Sequence, residues 1–75
     1  AEIDIIARRG NLLIFVEVKN RPTIHIACAA VTGPQATRLR RAAETYITRT
    51  GWGGDARFDI IAVCGFRINW IKNAI

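Results

Sequence analysis

Long apolar runs, histidine and metal-spaced cysteines are scarce or missing in this sequence, and each scarcity removes a class of function. No run of 18 apolar residues exists, which excludes an ordinary transmembrane helix, and no signal-peptide pattern opens the chain, so the sequence reads as a soluble cytoplasmic protein. The two cysteines, Cys28 and Cys64, lack metal-ligand spacing and stand in apolar surroundings, which predicts free core thiols and no zinc site. His25 is the single histidine and has no serine or cysteine partner, so it is not read as catalytic. Methionine is absent even at position 1. The first residues already resemble a strand, so the 75 residues are expected to be the inner part of a longer polypeptide and to form one domain close to the lower size limit for a single core.

Acidic residues are also few: Asp and Glu number 6 against 11 Lys and Arg, for a net charge of +5. Nine of the eleven basic residues are arginine, whose planar fork suits bidentate contact with phosphate. A basic surplus of this kind is the footprint of a nucleic-acid binder, and equally that of many small basic proteins that bind none.

Composition is otherwise globular, with 51% hydrophobic residues. Glu2 to Ala7 and Leu12 to Lys19 are predicted strands joined as a hairpin through Arg8-Arg9-Gly10-Asn11. Asn20-Arg21-Pro22 ends the second, because proline cannot donate to a central ladder. Thr23 to Val31 alternates weakly and is predicted as a third strand. Thr32-Gly33-Pro34 marks a helix start, and Leu39, Ala42, Ala43, Tyr46 and Ile47 recur at helical spacing up to about Arg49. Arg57 to Cys64 and Arg67 to Lys72 are predicted strands. The predicted order is β-β-β-α-β-β, an α/β mixed sheet with one helix on a face, whose other face needs a missing N-terminal helix or a partner chain.

Side chains alternate across a strand, so Glu17 and Lys19 share one face of an otherwise apolar strand, and Glu2 and Asp4 share a face opposite Ile3 and Ile5. If the hairpin pairs these strands, Asp4 lies close to Glu17. Burying isolated ionised groups costs several kcal/mol, roughly, even after relaxation, so something must offset them. One solution is a Glu17–Lys19 salt bridge at a strand end. The other is a magnesium or manganese ion held by Asp4 and Glu17, since such ions take one or two protein carboxylates together with water and phosphate oxygens, with Lys19 beside the attacking water. Glu-x-Lys alone is a weak signal, and its weight comes from the strand it occupies and from Asp4 before it.

The spaced blocks AEIDIIAR, LLIFVEVKNR, RLRRAAETYI, RFDIIAV and INWIKNAI run along nearly the whole chain and resemble the YraN-type proteins, small bacterial proteins with a restriction-endonuclease-like PD-(D/E)XK fold. They are more distantly similar to archaeal Holliday-junction resolvases. The resemblance implies that Asp4 fills the first acidic position, that Glu17 and Lys19 fill the E-x-K, and that Glu2 matches a glutamate two residues before the aspartate. It also implies an N-terminal helix ahead of these 75 residues that often adds an acidic residue. Relatives carry Lys and Gln in the first turn of the long helix after Thr-Pro. Here the stretch is Thr32-Gly33-Pro34-Gln35-Ala36, with the Lys absent and Gln35 shifted by one.

The functional expectation is a metal-dependent nuclease acting on DNA, with Asp4, Glu17 and Lys19 catalytic, and with Gln35, Arg38, Arg40 and Arg41 touching phosphates. The alternatives are a non-catalytic nucleic-acid-binding module of the same fold, and an assembly component that meets a partner, such as a second copy in a homodimer, through an open sheet face or edge. Asp59 is expected to pair locally with Arg57. Trp52 and Trp70 are read as packing residues first and base-stacking residues second.

Overall fold

A computed structural model describes residues 3–75. Strand β1 (Ile5–Arg9) runs antiparallel to β2 (Leu12–Asn20), helices α1 (Ile24–Ala29) and α2 (Gly33–Thr50) follow, and β3 (Asp55–Cys64) and β4 (Arg67–Ile71) close the chain. The sheet order is β1-β2-β3-β4, with β2 and β3 parallel and the outer pairs antiparallel. Parallel neighbours need a crossover longer than a turn, and α1 with α2 supplies it. At the β1–β2 corner Gly10 takes φ 58°, the left-handed value that a two-residue hairpin loop requires.

The predicted third strand is instead α1. Thr23 caps it by accepting a hydrogen bond from the Ile26 amide at 3.1 Å, and three of the residues from 27 to 30 are alanine, the strongest helix former. The apparent alternation of Ile24 and Ile26 puts both about half in solvent, whereas Ala27 is fully buried where α1 lies against β2 and β3. The order among the described residues is therefore β-β-α-α-β-β.

The long helix forms as its periodicity predicts. Thr32 accepts from the Gln35 amide at 3.3 Å, proline stands in the first turn, and Gly51 ends the helix at φ 69° with its amide donating to the Ile47 carbonyl. Leu39 and Ala43 face inward, and the core gathers around Leu13, Phe15 and Ala43 with Tyr46, Ile47, Trp52 and Phe58. Phe15 and Phe58 are partners in the parallel register, and their rings stack at 5.4 Å; the Tyr46 ring meets Phe15 edge-on at 5.9 Å. Because β-strand side chains alternate, the face of β2 that carries Leu13 and Phe15 beneath α2 also carries Glu17 and Lys19. The opposite face leaves Ile5, Ile68 and Trp70 at 42%, 74% and 50% exposure.

Candidate metal centre and its surroundings

The register Ile5↔Val16 is what brings the two carboxylates together, because it places the residue before Ile5 opposite the residue after Val16. Asp4 sits in a bend just ahead of β1 and not within a strand. The bend breaks the expected alternation: Ile3 packs on the Leu13–Phe15 core, while Ile5, opposite Val16, points to the other face. Freed from the ladder, the Asp4 side chain turns onto β2 and accepts a hydrogen bond from the Val18 amide at 2.8 Å. It thereby takes up a donor left over where β1 ends.

The Asp4 and Glu17 carboxyl groups lie within hydrogen-bonding reach of each other, a bond that forms only when one of them is protonated. That bond to Glu17, then the Val18 amide, holds Asp4 below the usual aspartate range. Desolvation, followed by the hydrogen bond and charge of Asp4, pushes Glu17 up to about 7, while Lys19 draws it back. The proton belongs to the pair. Among the described residues no ion-pair contact joins Lys19 to either carboxylate, and the one that forms lies elsewhere, between Arg57 and Asp59. The simple Glu17–Lys19 salt bridge is therefore not what compensates Glu17.

Two carboxyls of which one ionises only around pH 7, with a lysine on the same face, fit a divalent cation by their donor chemistry: both are hard oxygen ligands, and a cation would offset the desolvation and repulsion that raise Glu17. Among the described residues no third His, Cys, Asp or Glu joins them. Glu2 lies outside the described residues. Asp4→Asn is expected to lower the Glu17 midpoint from about 7 toward 4.5 without reaching it, because desolvation persists, as read from a carboxyl-carbon NMR titration. In the wild type the folded state keeps a proton that the unfolded chain loses near 4.5. That contribution to stability is complete below this pH and is lost as pH rises through about 7.

The arginines of α2 separate into two groups. Arg40, also exposed, reaches over the Phe58 ring with its guanidinium 5.8 Å from the centroid. Arg38 and Arg41 are exposed one helical turn apart and, with Ala42 and Thr45, line an open concavity of about 480 Å³. Gln35 stands in the first turn of α2 with its Oε1 buried and without a hydrogen-bond partner. Asp59 is fully buried on the face away from α2 and pairs with Arg57 as the sequence predicts. It accepts from Arg57 twice, from Trp70 Nε1 at 2.7 Å and from the Asn73 amide at 2.8 Å, which fills its acceptor capacity and marks it as structural. Residue spacing carried no warning of the half-open hollow bordered by Ile6, Leu13, Tyr46 and Trp52 on the carboxylate face. Its only trace was a tryptophan set among glycines.

Together these features define a small mixed α/β domain with a basic helix and a pair of adjacent carboxyl groups at the open end of a hairpin. Residues 1–63 match the family described as "Uncharacterised protein family UPF0102", the YraN-type family, and the chain belongs to it. It is 40% identical to a UPF0102 protein of Shewanella amazonensis over 97% of this chain and 69% of that protein. It is 45% identical to one of Bartonella quintana over 89% of this chain and 57% of that protein, and 40% identical to one of Halorhodospira halophila over 97% and 60%. The chain thus spans between 57% and 69% of the length of these relatives. Among the described residues no helix is long and apolar enough to cross a membrane.

Proposed function

We propose that this domain is a magnesium- or manganese-dependent nuclease that hydrolyses phosphodiester bonds in DNA, built on a restriction-endonuclease-like PD-(D/E)XK core. The observation that carries the reading is the carboxyl pair of Asp4 and Glu17 with Lys19 two residues along the same strand face. Asp4, fixed by the Val18 amide, and Glu17 hold the cation. The bound cation supplies Lewis acidity at a phosphate oxygen. Lys19 would donate a hydrogen bond to the attacking water and stabilise the negative charge that develops on it as its proton passes to bulk solvent. Arg38 and Arg41 present exposed guanidinium forks suited to flanking phosphates, and Gln35, whose Oε1 is buried, would reach a phosphate only by donating from its amide nitrogen.

Calorimetric titration of the full-length protein with magnesium and with manganese is the direct test. Binding is expected in the wild type, strengthening as pH rises through about 7 because Glu17 must release its proton, and absent in Glu17→Gln. Equal binding by both proteins removes the metal centre. DNA binding that weakens with salt, without metal uptake, would instead assign a non-catalytic module of the same fold.

A further inference from the structure

On the sheet face that carries Glu17, β1 and β2 continue away from the carboxylates as Ile6 beside Phe15 and Arg8 beside Leu13. There the C-terminal end of α2 and the link to β3 leave a hollow of about 230 Å³ lined by Ile6, Arg8, Leu13, Tyr46, Thr50 and Trp52. It is smaller than the roughly 300–1,000 Å³ typical of pockets that enclose drug-sized ligands, so it suits a single flat ring system. Its wall is held in place: Trp52 Nε1 donates to the Asp55 carbonyl at 2.9 Å, its ring packs on the Leu13–Phe15 core, and Tyr46 is braced edge-on against Phe15. Arg8, also in the lining, lies over the Trp52 ring with its guanidinium 4.9 Å from the centroid, and its Nε donates to the Gly10 carbonyl at 3.3 Å.

An apolar floor, two aromatic rings and a cation at the mouth are the elements that hold an unpaired base and its phosphate. Leu13 lies four strand residues from Glu17, or about 13 Å along β2, within reach of a short stretch of strand whose phosphate meets the carboxylates. We infer that the hollow between Trp52, Tyr46 and Arg8 is a binding subsite for an unpaired nucleobase flanking the phosphate at Asp4 and Glu17, which makes single-stranded or frayed nucleic acid the preferred substrate. This inference rests on the nuclease reading for its substrate, and on the hollow itself for its position.

Fluorescence anisotropy of the full-length protein with a labelled single-stranded oligonucleotide, in chelator so that nothing is cleaved, tests it against the same strand made abasic and against a blunt duplex. The single strand is expected to bind on the order of tenfold more tightly than the abasic strand, and the difference is expected to collapse in Trp52→Leu. Because Trp52 also packs on the core, Thr50→Gln serves as the second variant: an exposed helix-end residue whose longer side chain fills the hollow without changing charge. Equal affinity for normal and abasic strands, or a difference that survives in Thr50→Gln, overturns the subsite. A metal assay without cleavage, beside an intact base-dependent difference, overturns the nuclease reading and leaves the subsite standing. Cleavage that ignores abasic substitution does the reverse.

Discussion

Asp59→Ala is expected to cost the domain about 3 kcal/mol, measured by urea unfolding followed by circular dichroism. The side chain is fully buried and anchors two donors from the end of the chain, the Trp70 indole and the Asn73 amide. Each such bond to a charged acceptor contributes roughly 1.5–3 kcal/mol, and alanine leaves both donors without a partner. Arg57 is open to water on its outer side, so Arg57→Ala is expected to cost less than Asp59→Ala. A single core of this size rarely supplies more than about 3–5 kcal/mol, so Asp59→Ala brings the domain close to unfolding at room temperature. The acid limb of stability follows from the same residue. Burial pushes the Asp59 carboxyl up, but Arg57, the Asn73 amide and Trp70 together hold it below the ordinary range. Its contribution is therefore present above about pH 4 and lost as pH falls through the depressed midpoint. Equal stability of wild type and Asp59→Ala at pH 7 would refute the anchoring role.

Lys19→Ala is expected to lower metal-dependent cleavage by about 10²–10⁴-fold while leaving magnesium binding in place. The separation is diagnostic. On the proposed nuclease reading, removing Asp4 or Glu17 would take away a ligand, whereas removing Lys19 would take away the donor to the attacking water. It also removes a positive charge that draws both carboxyls down, so the Glu17 midpoint is expected to rise in the same variant. Cleavage rates and carboxyl titrations on one protein preparation check both halves. Undiminished cleavage in Lys19→Ala removes lysine from the chemistry.

Much of this arrangement was legible in one dimension, and the exceptions have identifiable causes. The hairpin, α2 and the last two strands follow from β-branched runs, apolar spacing and turn residues, because those patterns report local preference. Residues 24 to 29 were misleading because alternation over so short a stretch suits either state. Thr23 as a cap and the alanines decided for helix, and the parallel pairing of β2 with β3 required a connection that crosses the sheet. Asp4 was correctly placed near Glu17 but for an incomplete reason: it approaches through a bend and a hydrogen bond to a β2 amide, not as a member of a strand face.

What the amino-acid sequence alone determined is the family, the position of an acid pair and a lysine, and the excess of arginine, because these depend on residue identity and local spacing. Only the tertiary structure decided which charges interact. It gave Asp59 four donor bonds and a structural role, brought Asp4 beside Glu17 so that Asp4 raises the Glu17 midpoint, and laid Arg40 over the Phe58 ring while Arg38 and Arg41 line the concavity on the helix's outer face. It also placed Arg8 over the ring of Trp52, two residues far apart in the chain. The physical reason is that desolvation and charge coupling depend on distances across the fold, and the strand register that sets those distances is not written in any single segment.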